Sequence, residues 1–71
     1  MVSIGEALKY QREAAKLTQR QLAKETGITQ VNICRWERGE VTPSIDFCVK
    51  LADFYGISLD ELIGRDIKTP S

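Results

Sequence analysis

Gln30, Val31, Asn32 and Arg35 put three hydrogen-bonding side chains around one small apolar one within six residues. A carboxamide offers a donor and an acceptor side by side, and a guanidinium offers a planar fork of donors. These groups match the major-groove edges of duplex DNA: a carboxamide fits adenine, a guanidinium fits guanine O6 and N7, and a valine methyl can pack on the thymine methyl. Gln30 is thus the candidate for adenine, Arg35 for guanine and Val31 for thymine, with Asn32 reading a base or holding a phosphate. Gln19, Arg20, Thr29 and Arg38 are candidates for the phosphate backbone. Arg38 is the least specific of these, because a helix C-terminus favours a cation for structural reasons alone. Exposed polar residues are individually uninformative, so the alternative is a merely solvated helix side.

These residues need a scaffold, and the sequence supplies one between Thr18 and Gly39. Thr18 and Gln21 have the spacing of a capping box, which starts a short helix. Leu22 and Ala23 form its inward stripe, and Gly27 ends it where a left-handed backbone is cheap only for glycine. Ile28 plugs the turn, and the Thr29 hydroxyl can cap a second helix. Ile33 and Trp36, three residues apart, are that helix's inward pair, leaving Gln30, Val31, Asn32 and Arg35 at its start and on its outer face.

The same punctuation recurs along the chain. Ser3 with Glu6 predicts a first helix over about 4–15, with Ile4, Leu8 and Ala15 inward and Arg12 on the same face. Ser44, after Pro43, caps a fourth helix whose apolar face is Ile45, Cys48, Leu51, Ala52 and Tyr55. Ser58 with Glu61 starts a short fifth helix closed by Gly64. No stretch alternates apolar and polar residues over enough positions to predict a strand. The expected architecture is all-α: a compact five-helix bundle over residues 4–64, with Leu8, Leu17, Leu22, Ile28, Ile33, Trp36, Ile45, Leu51 and Leu62 in the core. Residues 65–71 lack periodicity and are expected to form a flexible tail.

Leu17-Thr18-Gln19-x-x-Leu22-Ala23, Gly27-Ile28, Trp36-Glu37-x-Gly39, Pro43-Ser44, Leu51-Ala52 and Gly56-Ile57-Ser58-Leu59-x-x-Leu62 together resemble the Cro and phage-repressor family, also called the xenobiotic-response-element (XRE) family, of helix-turn-helix domains. The resemblance spans residues 4 to 64 and implies a lambda-repressor-like bundle, with the motif at about 18–39 and its second helix in the major groove. It implies a sequence-specific, repressor-type transcriptional regulator from a bacterium or phage, acting on double-stranded DNA. It further implies that Gln19 bridges a phosphate and the base-reading Gln30, and that Arg12 and Glu37 form a partly buried ion pair between the first and third helices. Two departures stand out. Glu40-Val41-Thr42 lacks the basic residues that many relatives place against the DNA backbone, and Gln11 occupies a usually apolar position, where Tyr10 and Phe47 or Phe54 are the residues available to compensate.

Composition is consistent with one small soluble domain. The 71 residues carry ten basic and ten acidic side chains. Residues 1–39 hold seven basic and four acidic residues, and residues 40–71 hold three and six. A positive half carrying the motif suits a phosphate-facing surface, and the negative half is expected to face away. No apolar run approaches the ~18 residues of a membrane span and no signal peptide is visible, so a cytoplasmic location is expected. With no histidine, no glycine-rich phosphate loop and no cluster of metal ligands, neither an enzyme, a cofactor nor a metal site is expected. Cys34 and Cys48 make no disulfide scaffold. Cys48 reads as a core thiol. A redox role for Cys34 would need a lowered pKa, for which only Arg35 and Arg38 are near in sequence.

A single domain of this size reads few base pairs, so a homodimer on a palindromic operator is expected. Leu59, Leu62, Ile63 and Ile67 give the last helix region more apolar surface than one short helix can bury, and Leu59 and Ile63 are the candidate dimer seam. Padding of the core edge is the alternative for both. Two further functional readings remain open: an antitoxin that neutralises a toxin protein while repressing its own operon, and a controller of a restriction-modification system.

Overall fold

In the computed structural model, residues 3–64 are described, and among them the chain is all-α. Its helices are α1 (Ile4–Ala14), α2 (Gln19–Thr26), α3 (Gln30–Glu37), α4 (Ile45–Tyr55) and α5 (Leu59–Leu62). The expected flexible tail at 65–71, including Ile67, lies outside the described residues.

The capping signals work as their spacing requires. Ser3 with Glu6, Thr18 with Gln21 and Ser58 with Glu61 each form both reciprocal bonds of a capping box. Ser44 differs. Its backbone has the extended cap conformation, but its side chain makes no bond to α4, and it is exposed. Water can therefore serve the open amides of that first turn.

Leu8, Leu22, Ile28, Ile33, Trp36, Cys48, Leu51, Ala52 and Leu62 form the buried core, with Leu17 partly buried at its edge. α3 packs on both α1 and α2, α4 packs on α5, and α1 and α2 close the remaining sides against α5 and α4. Burial pushes the Cys48 thiol up, as expected of a core thiol. One expected core residue, Ile45, and one residue of the first helix's expected inward stripe, Ala15, lie outside the core. Ile45 has the right rotational position but is the first residue of α4, and no neighbouring element covers it: it is 64% exposed. Ala15 falls just beyond the end of α1 and is exposed.

Two backbone features position α1. The first is Gly5, where an added Cβ would overlap the Trp36 carbonyl oxygen and stand 2.9 Å from that of Glu37. Only glycine lets α1 approach α3 this closely. The second is Lys16, which takes φ = 62° as the helix ends. Its amide donates to the Glu13 carbonyl oxygen and that of Leu17 donates to Arg12, the paired bonds of a Schellman ending. At the polar Gln11 position, the Gln11 carboxamide donates to the Glu61 carbonyl oxygen at 3.4 Å and ties α1 to α5. Tyr10 is exposed, Phe47 packs on Trp36 with ring centroids 5.1 Å apart, and Phe54 packs on Tyr55 at 5.2 Å.

Candidate nucleic-acid interface

The outer face of α3 is fixed by what its inner face buries. Ile33 and Trp36 are in the core, so Gln30, Val31 and Arg35 must face solvent. The Thr29 hydroxyl accepts the Asn32 amide at 3.3 Å and holds the first turn. Val31 is 64% exposed, an uncovered apolar contact amid polar neighbours. Gln19, Gln30, Val31, Cys34, Arg35 and Arg38 line one open depression of about 350 Å³. Gln30 and Arg35, five residues apart, thus border the same hollow. Thr29 and Arg20 are exposed and Asn32 is half-buried; none of the three lines it.

Beneath this surface lies a polar network. Arg12 donates through Nε to Glu37 Oε2 at 2.7 Å and through Nη2 to Oε1 at 2.9 Å, while its Nη1 donates to the Leu17 carbonyl oxygen at 2.8 Å. Bidentate, charge-assisted pairing of this kind is the stronger class of hydrogen bond. The hydrogen bonds Arg12 donates to Glu37 hold its guanidinium above its ordinary range, against the opposing effect of burial. Gln19 Nε2 donates to Glu37 Oε1 at 3.0 Å. This joins α2 to the α1–α3 pair and orients the Gln19 side chain at the edge of the depression. Its second N–H and its amide oxygen remain available to an outside partner.

The acidic half does not face away as a block. Gly39 takes φ = 78°, and its amide donates to the Trp36 carbonyl oxygen while the Glu40 amide donates to that of Arg35. This second Schellman ending folds Glu40 back over α3. Its carboxylate meets Arg38 Nη2 at 2.8 Å and stands 3.5 Å from Arg35 Nε. Arg38 Nη1 also donates to Cys34 Sγ at 3.5 Å. A carboxylate among the arginines is the feature that sequence reasoning missed. The signal was present in Gly39, which predicts a turn that brings the residue after it onto the residue four before.

Leu59 and Ile63 are each half-buried against the core, and part of each side chain remains at the surface.

Residues 8–62 match the helix-turn-helix family along nearly the whole bundle. The chain belongs to this family, in its Cro and phage-repressor (XRE) branch. Over 64 residues it is 44% identical to the cryptic phage CTXphi transcriptional repressor RstR of Vibrio cholerae, covering 90% of this chain and 57% of that protein. Over 65 residues it is 35% identical to the HTH-type transcriptional regulator ImmR of Bacillus subtilis, covering 92% and 51%. The chain thus spans about half the length of these curated relatives. Among solved structures it is similar to the P22 c2 repressor in complex with synthetic operator 9T, with a TM-score of 0.81, 30% identity, and coverage of 93% of this chain and 100% of that one. The bundle is lambda-repressor-like. Among the described residues no helix is long and apolar enough to cross a membrane.

Proposed function

We propose that residues 4–64 are the operator-reading domain of a bacterial or phage transcriptional repressor, acting in the cytoplasm on double-stranded DNA. The observation that carries this reading is the depression over α3, where Gln30, Val31 and Arg35 stand outward around one hollow with Gln19 and Arg38 at its edge. α3 lies in the major groove with its N-terminal turn deepest. Gln30 pairs with adenine, Arg35 forks onto guanine, and Val31 covers a thymine methyl. Asn32 reads a base or holds a phosphate. Gln19, Arg20, Thr29 and Arg38 hold the backbone, Gln19 with the N–H that Glu37 leaves free. The P22 c2 repressor, a structural neighbour of this fold, was solved on a synthetic operator, which supports DNA as the ligand here.

The operator is an imperfect palindrome read by a homodimer, with half-sites one turn (~34 Å) apart. The exposed parts of Leu59 and Ile63 form the seam with a second copy. Selection of bound duplexes from random DNA tests the whole reading: a two-fold-symmetric consensus is expected, and enrichment of no sequence contradicts it. Sedimentation tests the dimer, since a monomer both free and on that consensus rules it out.

A further inference from the structure

Glu40 stands at the edge of the surface assigned above to DNA, against two arginines that line it, and it engages them in different ways. Toward Arg35 it faces Nε, the inner nitrogen, at 3.5 Å. Among the described residues, the terminal nitrogens that would fork onto a guanine make no hydrogen bond. Toward Arg38 it takes Nη2, a terminal nitrogen, at 2.8 Å. That is the group Arg38 would offer to a phosphate. The carboxylate is not there by side-chain chance, because the Gly39 turn and the Glu40-to-Arg35 backbone bond fix its Cα over α3. A Schellman ending commonly carries an apolar contact between these two positions; here it carries an ion pair.

Resting on the operator-reading assignment, we infer that Glu40 is a specificity-determining residue. It braces Arg35 for base readout and competes with DNA phosphates for Arg38. The competition is feasible because both pairs are solvent-exposed, with Arg35, Arg38 and Glu40 side chains 53%, 64% and 40% accessible. Exposed pairs are weak, so a DNA phosphate can displace Glu40 from Arg38, and that displacement subtracts from the phosphate term, while the pair with Arg35, made through Nε, can persist beside a base contact. Non-specific duplex offers little besides phosphate and bears that loss in full. A cognate duplex also gains the braced Arg35 contact. Glu40 therefore lowers binding to all DNA while widening the gap between right and wrong sequences.

Glu40→Gln tests this, since it keeps the shape and removes the charge. The probes are the consensus duplex from random-DNA selection and a scrambled duplex of the same composition, each titrated at several salt concentrations. For Glu40→Gln, affinity for the scrambled duplex is expected to rise about three- to tenfold, with a salt slope steeper by about one unit as Arg38 is freed. The ratio of consensus to scrambled affinity falls. In an Arg38→Ala background the same substitution leaves the slope unchanged, a coupling that a purely structural role would not produce. If the wild-type chain prefers the consensus but Glu40→Gln leaves slope and ratio unaltered, the role of Glu40 is overturned and the operator-reading assignment stands. If the wild-type chain shows no preference, both are overturned.

Discussion

Glu37 and Glu40 lie three residues apart, and each holds arginine, but they do opposite work. The Glu37 side chain is 4% exposed and receives two bonds from Arg12 and one from Gln19. The Glu40 side chain is 40% exposed and makes looser contacts with Arg35 and Arg38. Burial decides the difference. In the interior, removing one charge strands its partner without water, so the pair matters for folding. At the surface, water screens both charges, so the pair adds little stability, and the role proposed for it is to withhold an arginine from DNA. One carboxylate holds α3 against the bundle, and the other, on the proposed reading, tempers what α3 grips.

The largest effect expected from this contrast is on stability. Arg12→Ala or Glu37→Ala should destabilise the domain by ~3–5 kcal/mol. Glu40→Gln and the exposed control Lys9→Ala should stay within about 0.5 kcal/mol of the wild type. Denaturant melts of the four variants check this, and equal midpoints would erase the distinction between the two carboxylates. Gly5→Ala sharpens it. The new Cβ would press on the backbone of Trp36 and Glu37, forcing α1 away from α3 at about 1–3 kcal/mol, the range for overpacking. A neutral Gly5→Ala would mean that the two helices can separate without loss.

The smallest effect concerns Tyr55, which lines a cavity of about 10 Å³ with Glu37, Leu8, Leu22, Ile33, Trp36 and Leu51. Its hydroxyl is buried with no hydrogen-bond partner among the described residues. Tyr55→Phe should therefore lie within about 1 kcal/mol of the wild type at neutral pH, because no bond is broken. Burial pushes the Tyr55 phenol up from 10.0 to about 12. The unfolded chain releases this proton more readily, so the stabilisation is whole below pH 10 and is lost as pH climbs toward 12. Tyr55→Phe should show a shallower alkaline loss of stability; superimposable stability–pH curves above pH 10 would contradict this.

The legible parts of the fold were those written in local chemistry. Capping boxes and helix-ending glycines reach only a few residues, so Ser3, Thr18, Gly27 and Ser58 announce their roles in sequence. The 3.6-residue period places Ile33 and Trp36 inward, and hence Gln30 and Arg35 outward. Distance along a helix axis was harder to read, which is why Ile45 looks like a core residue and is not. Gly5 reads as an ordinary helical glycine, because its reason lies in the carbonyl of Trp36, thirty-one positions away. Lys16 gives no compositional sign of its left-handed backbone. The Arg12–Glu37 pair came from family likeness and is present. Charge counted by segment puts Glu40 in the half that faces away, because such a count ignores a turn that folds the segment back. The family likeness sets Glu40-Val41-Thr42 near the DNA backbone but gives no sign of the pairs with Arg35 and Arg38.

The central claim is that the outward row of α3 reads bases while the phosphate contacts only position it. Its most direct test is the affinity of Gln30→Ala for consensus and scrambled duplexes across a range of salt. Losing a bidentate base contact should weaken consensus binding by ~1–3 kcal/mol, about ten- to a hundredfold. Scrambled binding and its salt slope should be unchanged, because Gln30 carries no charge. An equal loss on both duplexes would make Gln30 a positioning residue and contradict the claim.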